Sequence, residues 1–183
     1  MTFTKIKKFA LILLCACPLL AGAAMASSEP VQMAHTSTAA DTEAANKAKV
    51  KEFYEVFFNQ RKLDRVVDFV DPKAVDHDVP AGTTMEQFKE MMGMWFTAFP
   101  DFKVTVLQIV ADGDLVMCRF VQEGTFKGNL MGLAPTNKHM KLTSVDIIRI
   151  QNGKMVEHWS EWDRASFMHQ LGLKPEDMAK LGM

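Results

Sequence analysis

The spacing of apolar positions along the chain changes once, from helical to extended. Val50, Phe53, Tyr54, Phe57 and Phe58 fall at i, i+3, i+4, i+7 and i+8. That is one broad apolar stripe on a helix predicted from about Thr42. LDRVVDFV, residues 63–70, predicts a short second helix that Asp71-Pro72 ends. AVDHDV, residues 74–79, alternates like a short strand and runs into a turn at Pro80-Ala81-Gly82. Thr84 is a good N-cap for a third helix, with Gln87 placed to complete a capping box. The stripe of this helix is Met85, Phe88, Met92, Trp95, Phe96 and Phe99. A methionine-rich stripe reads as adaptable core, with a soft pocket wall as the alternative.

From Phe102 onward the period is two. KVTVLQIVA, LVMCRFVQEGTF, KLTSVDIIRI and KMVEHWSEW predict four long strands. Asp112-Gly113 and Asn152-Gly153 mark tight turns. Residues 127–139 form a long irregular connection. A short helix is predicted near Ser166, followed by a final turn at Lys174-Pro175-Glu176. Helices first and an antiparallel sheet afterwards predict an α+β fold with helices packed on one sheet face.

Composition sharpens this at the N-terminus. Lys5, Lys7 and Lys8 precede FALILLCACPLLAGAA and an Ala24-Met25-Ala26 end, the signature of a secretory signal peptide cleaved after Ala26. A second reading takes Leu14-Cys15-Ala16-Cys17 as a lipoprotein box with Cys17 acylated, the one route by which a membrane would be engaged. Both readings place the mature protein outside the cytoplasm, periplasmic or secreted. Residues 27–41 read as a flexible linker and 42–183 as the folded domain. Losing residues 1–26 removes three lysines and no acid, which moves the formal charge from −1 to −4. No basic excess argues for nucleic acid. Cys118 alone remains, which excludes an intrachain disulfide, and its strand context reads as a small buried hydrophobe.

The last hairpin carries the candidate chemistry. A two-residue loop, Asn152-Gly153, pairs Gln151 with Lys154, Ile147 with His158 and Asp146 with Trp159. A three-residue loop, Gln151-Asn152-Gly153, pairs Ile150 with Lys154, Asp146 with His158, Ser144 with Ser160 and Leu142 with Trp162. The second register is preferred because it gathers Asp146, His158, Ser144 and Ser160 on one otherwise apolar face. Asp146 would then face His158 across the ladder, with β-carbons about 5 Å apart. A carboxylate there fixes the imidazole tautomer and raises its basicity. The bland alternative is a buried polar pair that sets register. His77, in Asp76-His77-Asp78 beside the Pro-Gly turn, is a candidate for the cavity rim or else an exposed loop histidine. A metal site would need His77, Asp76 or Asp78 to converge with His158, and no His-Glu-x-x-His, paired histidine or phosphate-binding loop is present, so neither a metal nor a cofactor is expected.

From about Val50 to Leu173 the chain resembles the SnoaL-like polyketide (ester) cyclases of the nuclear transport factor 2-like superfamily. The resemblance rests on FYEVFFNQRKLDRVVDFVDPKAVDH, AFPDFKVTV, the G-x-x-x-G-x-x-P-T-N-K of residues 128–138, and DIIRIQNGKMVEHWSEWD. It implies a cone-shaped α+β barrel, in which a strongly bent, mainly antiparallel sheet wraps N-terminal helices around a deep, mostly apolar pocket. It implies homodimers and, for the cyclase branch, cofactor-free intramolecular aldol chemistry on polyketide esters; for this chain the expected ligand is a small apolar carbonyl compound. Pocket positions implied by the family match Ser144, Asp146, His158 and Ser160. The family's catalytic carboxylate stands two residues after the motif histidine, where this chain has Ser160.

Three readings follow. As an enzyme (a lyase, isomerase or cyclase), Asp146 with His158 would remove a proton beside a carbonyl, and Ser144 or Ser160 would donate to the enolate oxygen. Trp95, Phe96, Phe120 and Trp162 would exclude water, and His77 would touch substrate. As a carrier, the same pair would only orient a bound oxygen. As an assembly protein, the outer sheet face with Val145, Ile147 and Trp159 would meet a partner or a second copy.

Overall fold

The computed structural model describes residues 38–181. The signal-peptide, lipoprotein-box and most of the linker expectations therefore lie outside the described residues. Helix α1 spans Ala39–Phe53, three residues earlier than the pattern suggests. Thr38 caps it in a reciprocal box with Asp41, a signal the apolar stripe does not carry. A wider π-helical turn, Tyr54–Asn59, continues α1. At its end the Asn59 side chain holds Val104 by both backbone groups, accepting from its N–H at 2.9 Å and donating to its carbonyl at 3.1 Å.

The stretch expected as a second helix is a 3-10 turn over Leu63–Asp68, and strand β1 already runs from Val70 to Asp76. Asp71-Pro72 therefore lies inside a strand rather than ending a helix. Proline is tolerated because β1 is an edge strand and its register shifts between Val70 and Val75. The Asp71 carboxylate accepts the Lys73 N–H across this irregularity.

Helix α2, Met85–Ala98, starts at the Thr84–Gln87 capping box as expected. Strands β2 (Lys103–Asp112), β3 (Leu115–Thr125), β4 (His139–Gln151) and β5 (Lys154–Trp162) then form a meander. The sheet order is β1-β5-β4-β3-β2. Every pair is antiparallel except β1 with β5, which is parallel. Helix α3, Arg164–Leu171, is capped by Asp163 rather than starting at Ser166. A short α4, Pro175–Met178, follows. This is the α+β architecture that the pattern implies, with the curved sheet that the resemblance implies.

Phe53, Phe57, Phe69, Phe99, Phe126 and Phe167 are buried in the core between helices and sheet. Cys118 is fully buried there too, as its strand pattern suggests. Each such side chain contributes about 1.5–3 kcal/mol by leaving water. The methionine stripe of α2 divides between the two roles. Phe96 and Phe99 are buried core, while Met85, Phe88, Met92 and Trp95 also face a cavity.

The last hairpin adopts neither expected register. Asn152 and Gly153 both have positive φ, 52° and 73°, as a type I′ turn requires, and Gln151 pairs with Lys154. Past Ile150↔Met155 the pairing jumps to Arg149↔Glu157, leaving Val156 as an extra residue in a β-bulge. Beyond it Ile148 faces His158, Asp146 faces Ser160 and Ser144 faces Trp162. Asp146 and His158 are therefore diagonal neighbours rather than direct partners.

Candidate functional site

The diagonal still brings the two groups together. Ring atom Nε2 of His158 lies 3.4 Å from Oδ2 of Asp146. Diagonal contacts of this kind are within reach of long side chains on one sheet face. His158 faces Ile148 on the β4 side and a carboxylate on its other edge. Parallel pairing sets Asp76 of β1 beside His158, and Nδ1 lies 3.1 Å from the Asp76 Oδ1. The imidazole is thus held between two carboxylates, one at each ring nitrogen.

Electrostatics follow from this clamp. Burial pulls the His158 pKa down, but the hydrogen bonds and charges of Asp146 and Asp76 outweigh it and raise it to about 10. With that pKa the ring is an imidazolium at neutral pH, hydrogen-bonded through Nδ1 to Asp76 and ion-paired through Nε2 with Asp146. Burial pushes the Asp76 carboxyl up, but the bond and charge from His158 win and hold it below the ordinary aspartate value. Asp78 shows the opposite balance. Burial dominates and raises it, although the charge of His158 opposes. The Arg164 guanidinium lies 3.6 Å from Asp78 at the rim.

Asp146 is the deeper carboxylate, with 9% of its side chain exposed. The Tyr54 hydroxyl, at the start of the π-helical turn, donates to its Oδ2. Burial and the nearby Asp146 charge raise the Tyr54 pKa well above 10, so the phenol stays a donor. Oδ1 of Asp146 is buried without a protein partner.

These groups open onto an apolar cavity of about 290 Å³. Trp95, Phe120 and Trp162 line it, as expected from the sequence, together with Asp76, Asp78, Asp146, His158 and Ser160. Trp95 stacks on Phe167, and Trp162 meets Phe167 edge-on, so one aromatic wall joins α2, β5 and α3. Three residues expected at the cavity lie elsewhere, each for a physical reason. Phe96 turns into the core beneath the helix. Ser144 is 1% exposed and accepts a hydrogen bond from Gln122 at 2.8 Å, so Gln122, and not Ser144, reaches the wall. His77 lies on the far sheet face, stacked on Trp159 with ring centroids 4.9 Å apart and bonded to Glu157. Alternation along β1 sends Asp76 inward and its neighbour outward.

Tyr54 and Gln122 belong to the site although the sequence pattern does not single them out, and Asp76, considered in the sequence only as a conceivable metal ligand beside His158, belongs to it as well. For Tyr54 a signal exists. It is the single tyrosine beside thirteen phenylalanines, and a lone hydroxyl in an apolar stripe marks a buried partner. Among the described residues, Asp76, Asp78 and His158 offer ligand atoms within 4.8 Å of one another, the group that could hold a metal ion. A cation there would have to displace the proton that the two carboxylates hold on His158.

Comparison with known proteins fits this geometry. Residues 48–171 match the family model for SnoaL-like polyketide cyclase. The chain belongs to the SnoaL-like polyketide cyclase family. Nogalonic acid methyl ester cyclase of Streptomyces nogalater is 26% identical over 121 residues, covering 63% of this chain and 89% of the relative. IdmH of Streptomyces antibioticus superposes with a TM-score of 0.60 at 31% identity, covering 70% of this chain and 99% of IdmH. TsrD of Streptomyces laurentii, at 21% identity, shares the fold with a TM-score of 0.64, covering 72% and 97% of the two chains.

Proposed function

We propose that this SnoaL-like chain is an exported acid–base catalyst acting, without a cofactor, on a small apolar carbonyl compound. One observation carries the reading: an imidazolium clamped between two carboxylates at an apolar cavity. A carboxylate takes a proton from carbon beside the carbonyl, and the electron pair moves onto the carbonyl oxygen as an enolate. The charge of His158 stabilises that enolate, and the Ser160 hydroxyl and Gln122 amide are the neutral donors on the same wall. The enolate carbon then attacks a second carbonyl, closing a ring, or is reprotonated elsewhere, giving an isomer. The nogalonic acid methyl ester cyclase relative supports the ring-closing outcome. Export rests on the basic head, apolar run and Ala24-Met25-Ala26 of the N-terminus, and N-terminal sequencing of the host protein should begin at Ser27.

Ser160 favours a second reading, an apolar-ligand carrier, because it stands where the family's carboxylate is expected. Exchange of α-protons separates the two. The purified mature protein is mixed with acetophenone in D₂O, exchange is followed by NMR, and binding is read from quenching of Trp95 and Trp162. The acid–base reading expects exchange well above the protein-free blank, lost in His158→Gln. Binding without exchange sinks it and leaves the carrier.

A further inference from the structure

Resting on that acid–base reading, we infer that Asp76, from the parallel edge strand β1, is the catalytic base that removes the proton from substrate carbon, while Asp146 is a positioning residue for His158.

Access and commitment separate the two carboxylates. A base has to touch the proton it takes. Oδ1 of Asp146 has no surface that solvent reaches. Oδ2 of Asp146 is occupied by the Tyr54 hydroxyl and faces His158. Asp146, with 9% of its side chain exposed, therefore has one oxygen buried and the other already committed. Asp76 is different. Its side chain is 26% exposed and lines the cavity. Its two bonds, from His158 Nδ1 and from the Asp78 N–H, both fall on Oδ1, so Oδ2 is the atom left for substrate. The fold also holds it firmly. Asp76 pairs with His158 in the ladder, and the His77 N–H donates to the His158 carbonyl at 3.0 Å.

His158 is the other conceivable base, but both its ring nitrogens face carboxylates, Nδ1 at 3.1 Å from Asp76 and Nε2 at 3.4 Å from Asp146, so neither is turned to the reacting carbon. Its place between the two carboxylates suits a fixed positive charge beside a developing enolate. The division of labour is then clear. In the step, the substrate C–H bond breaks and an O–H bond forms at Oδ2 of Asp76. The electron pair passes to the carbonyl oxygen. When the enolate carbon attacks a second carbonyl, the new alkoxide takes the proton back from Asp76. Nothing is oxidised or reduced. Low basicity of an aspartate is no obstacle where the enolate is stabilised by charge and donors in a dry site. Asp76 restores on β1 the carboxylate that Ser160 does not supply on β5.

The test uses the mature protein, acetophenone in D₂O, and the binding readout already described. Asp76→Asn should lower exchange by roughly 10²–10⁴-fold with ketone affinity within about threefold. Asp76→Glu should restore part of the rate. The wild-type pH profile needs no variant. With Asp76 as base, exchange above the blank is flat from pH 5 to 8 and changes only as His158 loses its proton. With His158 as base, it climbs about tenfold per pH unit across that range. A climbing profile, or Asp76→Asn keeping more than a tenth of the rate, overturns the inference while leaving acid–base catalysis standing. Loss of exchange in Asp78→Asn with Asp76→Asn unaffected would move the base to the rim and overturn it equally. A wild type that binds ketone and exchanges nothing removes both readings.

Discussion

Replacing Tyr54 by Phe removes one hydroxyl and little else. Tyr54 is 2% exposed, and its ring contacts with Phe120 and Phe58, at 5.0 and 5.6 Å between centroids, survive in a phenylalanine. What disappears is the hydrogen bond to Oδ2 of Asp146. A hydrogen bond to a charged group contributes about 1.5–3 kcal/mol. Burying a phenyl ring in place of a phenol recovers a little of this. Against that, Asp146 already has one buried oxygen without a protein partner, so its remaining stabilisation falls on His158 alone. We expect Tyr54→Phe to destabilise by about 2 kcal/mol, lowering Tm by roughly 4–8 °C for a domain of this size. Urea melts of wild type, Tyr54→Phe, Asp146→Ala and the double variant give the pairwise term, expected at about 1.5–3 kcal/mol. A single variant within about 0.5 kcal/mol of wild type, or a coupling near zero, would refute the claim that this bond anchors the clamp.

Two further outcomes follow from the same geometry. His158 binds its proton more tightly folded than unfolded, so its contribution is complete below pH 6.5 and is lost as pH rises toward about 10. The unfolding free energy from urea melts should fall between pH 7 and 9.5, by at most about 1.4 kcal/mol per pH unit, and this slope should flatten in His158→Gln; a flat wild-type profile contradicts the clamp. Deleting Val156 removes only the unpaired residue, so Ile150↔Met155 runs straight into Arg149↔Glu157 and Ile148↔His158, and His158 keeps its cavity face. That variant should keep a cooperative melt and ketone binding, and loss of both would show that the register assigned beyond Val156 is wrong.

What is legible in the sequence is mostly local. The Thr84–Gln87 box is a contact over three residues and needs no tertiary knowledge. The two-residue period of β2 to β5 likewise reports one buried face. The site face follows from the sequence although its register does not. A two-residue turn plus one bulged residue displaces the pairing by two positions from the three-residue loop, and two is the side-chain period of a strand. Val156 gives no warning, because a bulged valine looks like any strand valine. Asp76 is out of reach for a different reason. It meets His158 across 82 residues of sequence through a parallel pairing that no turn specifies. Pro72 compounds this by reading as a helix stop, when an edge strand accommodates it. His77 takes the second of its two readings, an exposed turn histidine, because it falls just past the last residue of β1.

The central claim is an imidazolium at position 158 held by carboxylates on both sides. Long-range ¹⁵N–¹H NMR of the ring nitrogens at pH 8 tests it most directly. The clamp requires both nitrogens protonated there, with the proton lost only near pH 10. A neutral ring at pH 8, titrating near 6.5, would contradict it and dissolve the chemistry built upon it.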